Sequence, residues 1–496
     1  MRDRVRHLSK GVAIYGAGDA AIQVVNLALL AVYVKGGFLL REDYGALAVL
    51  VGLEAFAKVL LRFGLDGAFM RFYYDRPAGG PLERLTSTIF WFLLVVDLAV
   101  IAAALAASVW AGPRLFTDPN HVTALRLMLV NVFLIGTTFI PFHLMRMRDE
   151  AVTYSAFMFA RSAGTTVARI VLVIGVGYGM AGWFLADLLM TLALLPLLWR
   201  RVRPYLAARV SAEELRAVLR FGLPRVPHGV ALQALDAGNR LLLSAFLPQA
   251  RVGVYQNGLT LGTGLRFFLA AFETAWAPFY YGTAKHADAK DVFRKMTTYG
   301  IAVLVLLAAV TTAVAHDVIL VMLEPAYLDA AAVIPLVAVG ICFQGVYLLT
   351  SIGINLTGRT ELYPVATFAA AAVGLGSGLW LMPAWGIVGG AVAFMLAYAT
   401  QATVAFVLAQ RVYPMRYETG RLARLAAAGV AATFVGLRAV PALPPVAGLV
   451  VRSAVTAAVF LALLWATGFL RRSERAFLAE VWTRLRRRAA GPAAPA

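Results

Sequence analysis

The sequence predicts an all-α polytopic membrane protein with about fourteen transmembrane helices: two homologous six-helix lobes in parallel topology and two extra C-terminal helices. Three observations carry that expectation. The 496 residues are 61% hydrophobic and only 14% charged, with a mean hydropathy of +0.77. Long apolar runs follow one another with short loops between them, and alternate loops are basic. Two short motifs recur at one fixed offset.

A soluble domain is about 45–50% apolar. The composition therefore excludes a soluble enzyme, a disordered chain and a secreted disulfide scaffold. Cys342 is the single cysteine, so no disulfide can form within the chain. A membrane-crossing helix needs about 20 apolar residues. Runs of that kind lie at about 11–35, 44–66, 86–110, 123–145, 152–176, 180–199, 221–246, 252–280, 297–316, 330–355, 362–383, 386–410, 422–438 and 446–470, here spans 1 to 14. A helix satisfies its own backbone hydrogen bonds and can cross alone. The runs are too long and too evenly apolar for barrel strands.

The net charge of +19 is mostly a topology signal. Arg2, Arg4, Arg6 and Lys10 precede span 1, and alternate loops then carry Arg71/Arg76/Arg84, Arg146/Arg148, a six-arginine cluster between Arg200 and Arg220, Lys285/Lys290/Arg294/Lys295, Arg359 and Arg411/Arg416/Arg421/Arg424. With the seven tail arginines, 31 of the 45 basic residues fall on one side; the opposite loops carry five: Lys35, Arg41, Arg114, Arg251 and Arg438. By the positive-inside rule both termini are cytoplasmic. The charge calls for no nucleic-acid partner. Span 1 is too long for the apolar part of a cleaved signal peptide and is read as a signal anchor. The tail 471–488 alternates arginine with Phe477, Leu478, Val481, Trp482 and Leu485, the pattern of a basic amphipathic helix or of a simple topogenic cluster.

Phe72-Tyr73-Tyr74 recurs as Phe279-Tyr280-Tyr281, 207 residues later, and Gly179-Met180-Ala181-Gly182 recurs as Gly386-Ile387-Val388-Gly389 at the same offset. Spans 1–6 and 7–12 are thus expected to be duplicated halves with an axis along the membrane normal. Such halves rock about a site at their interface. The expected units are residues 1–208, 209–418, 419–470 (spans 13 and 14) and a basic cytoplasmic tail, 471–496.

Ionisable groups at bilayer depth normally face the bundle interior or water. At 100° per residue, Tyr15, Asp19, Gln23 and Asn26 share a stripe of span 1, and Glu54, Lys58 and Arg62 share one of span 2. In span 7, Arg225, His228, Gln233, Asp236, Asn239 and Arg240 fall within less than half the circumference, and span 8 carries Thr263, Arg266 and Glu273. Span 5 adds Arg161, Thr165 and Arg169. The pattern predicts a cavity between the halves lined by spans 1, 2, 7 and 8. Glu54–Lys58 and Asp236–Arg240 are open to a purely structural reading as neutralising pairs. Arg62 and Arg266 lack an obvious one-to-one match, and Arg452 stands alone in span 14. Arginine binds phosphate oxygens bidentately and stays charged when buried, so the cavity suggests an anionic, phosphorylated substrate. No metal-ligand spacing, nucleotide-binding glycine loop or large catalytic loop appears, so neither a metal nor another cofactor is expected. Loop 316–329, with Asp317, Glu324 and Asp329, reads as a solvated external segment.

Several motifs carry a family likeness. Asp43-Tyr44-Gly45, Leu61-Arg62-Phe63-Gly64-Leu65, Phe221-Gly222-Leu223-Pro224, Asn239-Arg240-Leu241-Leu242-Leu243, Val252-Gly253-Val254-Tyr255, Gly358-Arg359-Thr360 and Trp385-Gly386-Ile387-Val388-Gly389 occur in order along nearly the whole chain. In this the sequence resembles the polysaccharide transporter family of O-antigen and exopolysaccharide flippases, within the multidrug/oligosaccharidyl-lipid/polysaccharide exporter superfamily. The resemblance implies two lobes forming a V, with spans 13 and 14 beside a lipid-accepting groove. It also implies alternating-access movement of a polyprenyl-diphosphate-linked oligosaccharide from the cytoplasmic to the periplasmic leaflet of a bacterial inner membrane. Lys58, Arg62, Arg240 and Arg266 would then meet the diphosphate, and Arg161 joins them as an anion-binding candidate. Asp19, Glu54, Asp236 and Glu273, with Gln23, Asn26, His228 and Asn239, are the cavity or ion-coupling candidates. The family often has an acidic residue directly before the span 7 arginine, where this chain has Asn239; Asp236 lies one turn earlier. Expected partners are the lipid-linked glycan, membrane lipids and polysaccharide assembly proteins. The rivals are a cation-coupled multidrug exporter of the same superfamily, a membrane-embedded transferase and a non-transporting assembly scaffold.

Overall fold

The computed structural model describes residues 25, 27–74, 82–148, 150–207 and 210–469, and every regular element among them is helical. After a helical stretch at 27–35, the first half comprises α1 (Arg41–Leu60), α2 (Leu65–Tyr74), α3 (Leu82–Leu115), α4 (Pro119–Met147), α5 (Ala151–Arg169) and α6 (Gly179–Val202). A connecting helix, α7 (Ala212–Gly222), leads to α8 (Val226–Gln233), α9 (Asn239–Phe246), α10 (Gln249–Gly262) and α11 (Arg266–Thr283). Then come α12 (Ala289–Ala313), α13 (Ala315–Met322), α14 (Val333–Thr350), α15 (Ile352–Leu356), α16 (Leu362–Val412), α17 (Thr419–Arg438) and α18 (Pro445–Ala466). The starts follow local chemistry. Asp118 accepts the Asn120 N–H at 2.8 Å with Pro119 opening α4, and Ser211 accepts the Glu214 N–H at 3.3 Å to open α7.

Ten helices among the described residues are long and apolar enough to cross a membrane. The chain is therefore a multi-pass membrane protein. Ten windows and fourteen predicted spans differ at span 1, at spans 7 and 8, and at the pair 11 and 12. Most of span 1, with Asp19, Gln23 and Asn26, lies outside the described residues. Spans 11 and 12 run together as the 51-residue α16, which turns at Gly386 (φ 56°, ψ −129°). That residue makes α16 a tight hairpin: a Cβ on Gly374 would lie 2.8 Å from the Ala397 Cβ in the returning arm. Gly179, the counterpart of Gly386 in the sequence repeat, has the same φ of 56°.

Spans 7 and 8 are not continuous α-helix. Span 7 passes through a 3-10 turn at Leu223–Arg225, α8, a π turn at Ala234–Gly238 and α9. Pro224 and Pro227 remove donors in its first part. Span 8 breaks at a 3-10 turn, Thr263–Leu265, between α10 and α11. Span 2 breaks between α1 and α2, where Phe63 (φ 49°) and Gly64 (φ 68°) both take left-handed conformations. A non-glycine residue there stores strain of about 1–3 kcal/mol and persists only where its surroundings fix it. Spans 2, 7 and 8 all belong to the set with predicted polar faces.

The halves meet along α1 and α10. A Cβ on Gly45 would lie 2.0 Å from the Gln249 carbonyl oxygen, and one on Gly253 would lie 1.9 Å from that of Arg41. The contact is reciprocal: each glycine touches the residue four positions before the other. A twofold relation between the two helices produces such reciprocity. At the opposite, basic end, Gly64 packs on the backbone of Gly222, and Arg71 lies over the Phe221 ring at 4.6 Å. The connecting helix α7 buries Val218 with Leu65, Phe69, Ile89 and Val202.

α17 and α18 pack on α12 and are clamped to the second half at both ends. Glu418 accepts from Arg421 at 2.9 Å and from Thr298 at 3.0 Å, and Arg452 Nε lies 3.0 Å from Asp317 Oδ2. Two expectations are corrected here. Arg452 is not alone, because Gly448 leaves the room in which Asp317 reaches it. Nor is 316–329 a solvated loop throughout: it holds the end of α13 and a 3-10 segment, Asp317 is 3% exposed, and Asp329 pairs with Arg251.

Candidate functional site

Breaking span 2 beside Arg62 and span 7 beside Arg225 opens a cavity of about 490 Å³ between the halves. α1 contributes Glu54 and Lys58; Arg62, Gly64, Asp66 and Gly67 come from the break and the start of α2; Arg225, His228, Gly229 and Gln233 come from span 7. Glycines let the facing wall come close. A Cβ on Gly67 would lie 2.6 Å from Arg225 Nη1, and one on Gly229 would lie 2.9 Å from a Val59 methyl.

The charges are mixed, with cations ahead. Glu54 and Lys58 pair at 2.6 Å across one helical turn, with the lysine side chain 35% exposed. Arg62 pairs loosely with Asp66 at 3.5 Å. The expectation that Arg62 has no match is thus corrected: the positive-φ turn at Phe63-Gly64 brings Asp66 back under it. Arg225 lies 5.5 Å from the Phe221 ring and, among the described residues, has no carboxylate within pairing distance. Three cations therefore face two carboxylates, besides His228, whose ring meets Phe368 edge-on at 6.5 Å. Arg161 on α5 does not line the cavity and has Asp187 and Glu54 as electrostatic neighbours; Asp187 itself pairs with Arg169 at 2.8 Å.

The other predicted group forms a separate cluster deeper in the second half. The π turn carries Asp236 away from its expected partner. Asp236 Oδ1 accepts from Arg266 Nη2 at 2.7 Å and from the Tyr398 hydroxyl at 2.5 Å. Arg266 also donates from Nη2 to Tyr398 at 2.6 Å and from Nε to Gln344 at 3.1 Å. Arg240 reaches only the Asp236 carbonyl, at 3.4 Å. The expected Asp236–Arg240 pair is therefore replaced by Asp236–Arg266, because the extra residue in a π turn rotates position 236 toward span 8. Arg266 is correspondingly not a free cation. Neither it nor Asp236 lines the cavity. Asn239 is buried in the same region, at 3% exposure. Glu273 stands apart, exposed, with Tyr347 as an electrostatic neighbour.

Asp66 and Arg225 are the cavity residues that the sequence reading undervalued. Arg225 sits at the basic end of span 7, where a long cation can snorkel to the interface. Asp66 could have been found from its four-residue spacing to Arg62. Among the described residues no three His, Cys, Asp or Glu side chains gather to hold a metal ion.

A helical bundle whose two halves enclose a charged cavity between interrupted helices defines a membrane transporter fold. Solved structures agree. The chain is similar to a "Lipid II flippase MurJ, inward closed conformation" with a TM-score of 0.65 and 13% identity, over 91% of this chain and 99% of that one. An "Inward-facing conformation of a multidrug resistance MATE family transporter of the MOP superfamily" aligns with a TM-score of 0.59 and 16% identity, over 82% and 95%. A "MOP superfamily transporter from Pyrococcus furiosus", in a structure titled for the "Reverse polarity of binding pocket", aligns at 0.50 and 15%, over 84% and 95%. No curated protein matches. The profile of the family described as polysaccharide biosynthesis protein matches residues 37–332, and the chain belongs to that family.

Proposed function

We propose that the chain is a flippase. It carries a polyprenyl-diphosphate-linked oligosaccharide from the cytoplasmic to the periplasmic leaflet of a bacterial inner membrane, with both termini in the cytoplasm. The observation that carries this reading is the cavity's charge: Lys58, Arg62 and Arg225 against Glu54 and Asp66, with Arg225 unmatched among the described residues. A site for a cationic drug would be expected to show the reverse excess. Membership of a polysaccharide biosynthesis family and the fold shared with a lipid II flippase support it further.

In the proposed cycle the diphosphate enters from the basic end and displaces the loose Asp66 from Arg62. Guanidinium groups grip phosphate oxygens in pairs and hold their charge in a half-buried site. The α1–α10 glycine contact closes the far end until the lobes rock. Moving negative charge outward across an inside-negative membrane is downhill by about 2.3 kcal/mol per charge per 100 mV. Return of the net-cationic empty cavity toward the negative interior is downhill too, and Glu54 beside Lys58 offsets the repulsion left among the cations when the diphosphate departs. The glycan extends from the cavity, and the lipid tail lies outside it near α17 and α18.

The test is translocation of a fluorescent polyprenyl-diphosphate-linked sugar in proteoliposomes. Arg225→Ala with Arg62→Ala should reduce the rate at least tenfold at normal protein levels. Unimpaired translocation by that double variant sinks the anion site. Failure of the wild-type protein to move the lipid, combined with export of organic cations, favours the rival exporter.

A further inference from the structure

Asp97 lies near the midpoint of the 34-residue α3, at the depth of the bilayer centre. It is 3% exposed, and among the described residues its Oδ1 has no hydrogen-bond partner. A cavity of about 10 Å³ adjoins it, lined by Phe90, Leu93, Leu94, Gly136, Thr137 and Ile140. That is room for about one water molecule. The space is held open by the missing side chain of Gly136 on α4, where a Cβ would lie 2.7 Å from Asp97 Oδ2.

None of those six residues is ionisable, and the charged groups on the packed elements are remote or engaged, Arg146 with Tyr154 and His121 with Asp43 among them. On α4, Arg126 donates to Ser108, and His143 meets the Phe139 carbonyl and Asp66. Both stand seven or more residues from Gly136, roughly 10 Å or further at the helical rise. On α2, Asp66 belongs to the large cavity and Arg71 lies over Phe221. On α7, Glu213 and Glu214 face Arg84 of α3, while Arg216 and Arg220 lie on the same basic-end helix. Arg203 and Tyr205 lie beyond α6, again at that end. At the other end of α3, Arg114 is in the last turn. A bare carboxylate with no cation near it is several kcal/mol unfavourable at this depth, and a neutral acid is not.

A second feature favours the acid form. Pro141 lies inside α4, four residues after Thr137, so the Thr137 carbonyl lacks its helical donor. A carboxylic acid supplies a donor for that carbonyl, directly or through one water. A carboxylate offers only acceptors and would oppose it.

We propose that Asp97 is a proton-binding site: a carboxylate oxygen takes a proton from hydronium in the solvent when α3 and α4 part, leaving water, and holds it as a neutral acid when they close. Proton occupancy then biases the packing of α3 on α4 and so the posture of the first lobe. The inference does not depend on what the larger cavity carries.

Infrared difference spectroscopy of the full chain in lipid nanodiscs tests it. The wild type should show a protonated-carboxyl stretch at neutral pH that is lost in Asp97→Asn. The band should shift on deuterium exchange and convert reversibly to carboxylate as pH rises. Gly136→Ala, whose methyl enters the cavity, should move its frequency, which keeps the test alive if Asp97→Asn folds poorly. In parallel, spin labels on α3 and α4 should report a separation that changes across the titration in wild type. In Asp97→Asn it should stay at the acid-form value at every pH. An ionised Asp97 at neutral pH, an acid band that never exchanges, or an Asp97→Asn variant whose separation follows pH like wild type each overturns the proposal.

Discussion

Replacing Gly253 with alanine puts a methyl carbon 1.9 Å from the Arg41 carbonyl oxygen. Ordinary contact begins at about 3.4 Å, so the shortfall is about 1.5 Å. The obstructing atom is backbone, which no rotamer change can move. α10 must therefore back away from α1, and overpacking of this kind costs about 1–3 kcal/mol. The cost falls on arrangements in which the two helices touch and not on those in which they part. At about 2 kcal/mol the balance shifts toward the parted arrangement roughly 30-fold. Gly45→Ala meets the Gln249 carbonyl at 2.0 Å and should act equally. With Cys342 replaced, spin labels at Leu40 and Phe246, both exposed and on opposite halves, would report the separation in nanodiscs. Both variants should enrich the longer distance, together with a lower melting temperature if the parted arrangement is less stable overall. Unchanged distances in both variants, or an effect from one glycine alone, refutes the reciprocal contact.

Other predictions follow from single contacts. Asp317→Asn should destabilise the α17–α18 clamp by roughly 3–5 kcal/mol, because it strands a largely buried Arg452; thermal unfolding would show this, and adding Arg452→Met should recover much of the loss. Gly386→Ala forces a side chain into φ 56°, ψ −129° and should cost about 1–3 kcal/mol in the same assay, whereas Gly376→Ala, with nothing near its Cβ position, should be close to neutral. Lys58→Met with Glu54→Gln removes a half-exposed pair worth only about 0.3–0.5 kcal/mol of stability, so melting should barely change while translocation falls if the pair serves the cargo.

The helical class and the membrane setting were legible because their signals are local; of the helices predicted to line the cavity, spans 2 and 7 do so among the described residues and span 8 does not. Apolar run length, loop charge and 100° periodicity need no tertiary knowledge. The partners of the charges were not legible. Arg266 was read as unmatched because Asp236 stands 30 residues away, and only the π turn aims one at the other. Arg452 and Asp317 are separated by 135 positions and meet through a glycine gap that no periodicity reveals. The interruption of span 2 left a sharper trace: Phe63-Gly64 sits between Arg62 and Asp66 at the end of an apolar run, which helical periodicity treats as continuous.

The central claim is that this chain moves a lipid-linked glycan diphosphate across the membrane through the Lys58/Arg62/Arg225 cavity. The direct measurement is the leaflet distribution of polyprenyl-diphosphate-linked glycan in cells lacking the protein, complemented with wild type or with Arg62→Ala/Arg225→Ala. The account predicts accumulation on the cytoplasmic leaflet without the protein, clearance by wild type, and failure to clear by the double variant at equal abundance. An unchanged distribution on deletion would contradict it.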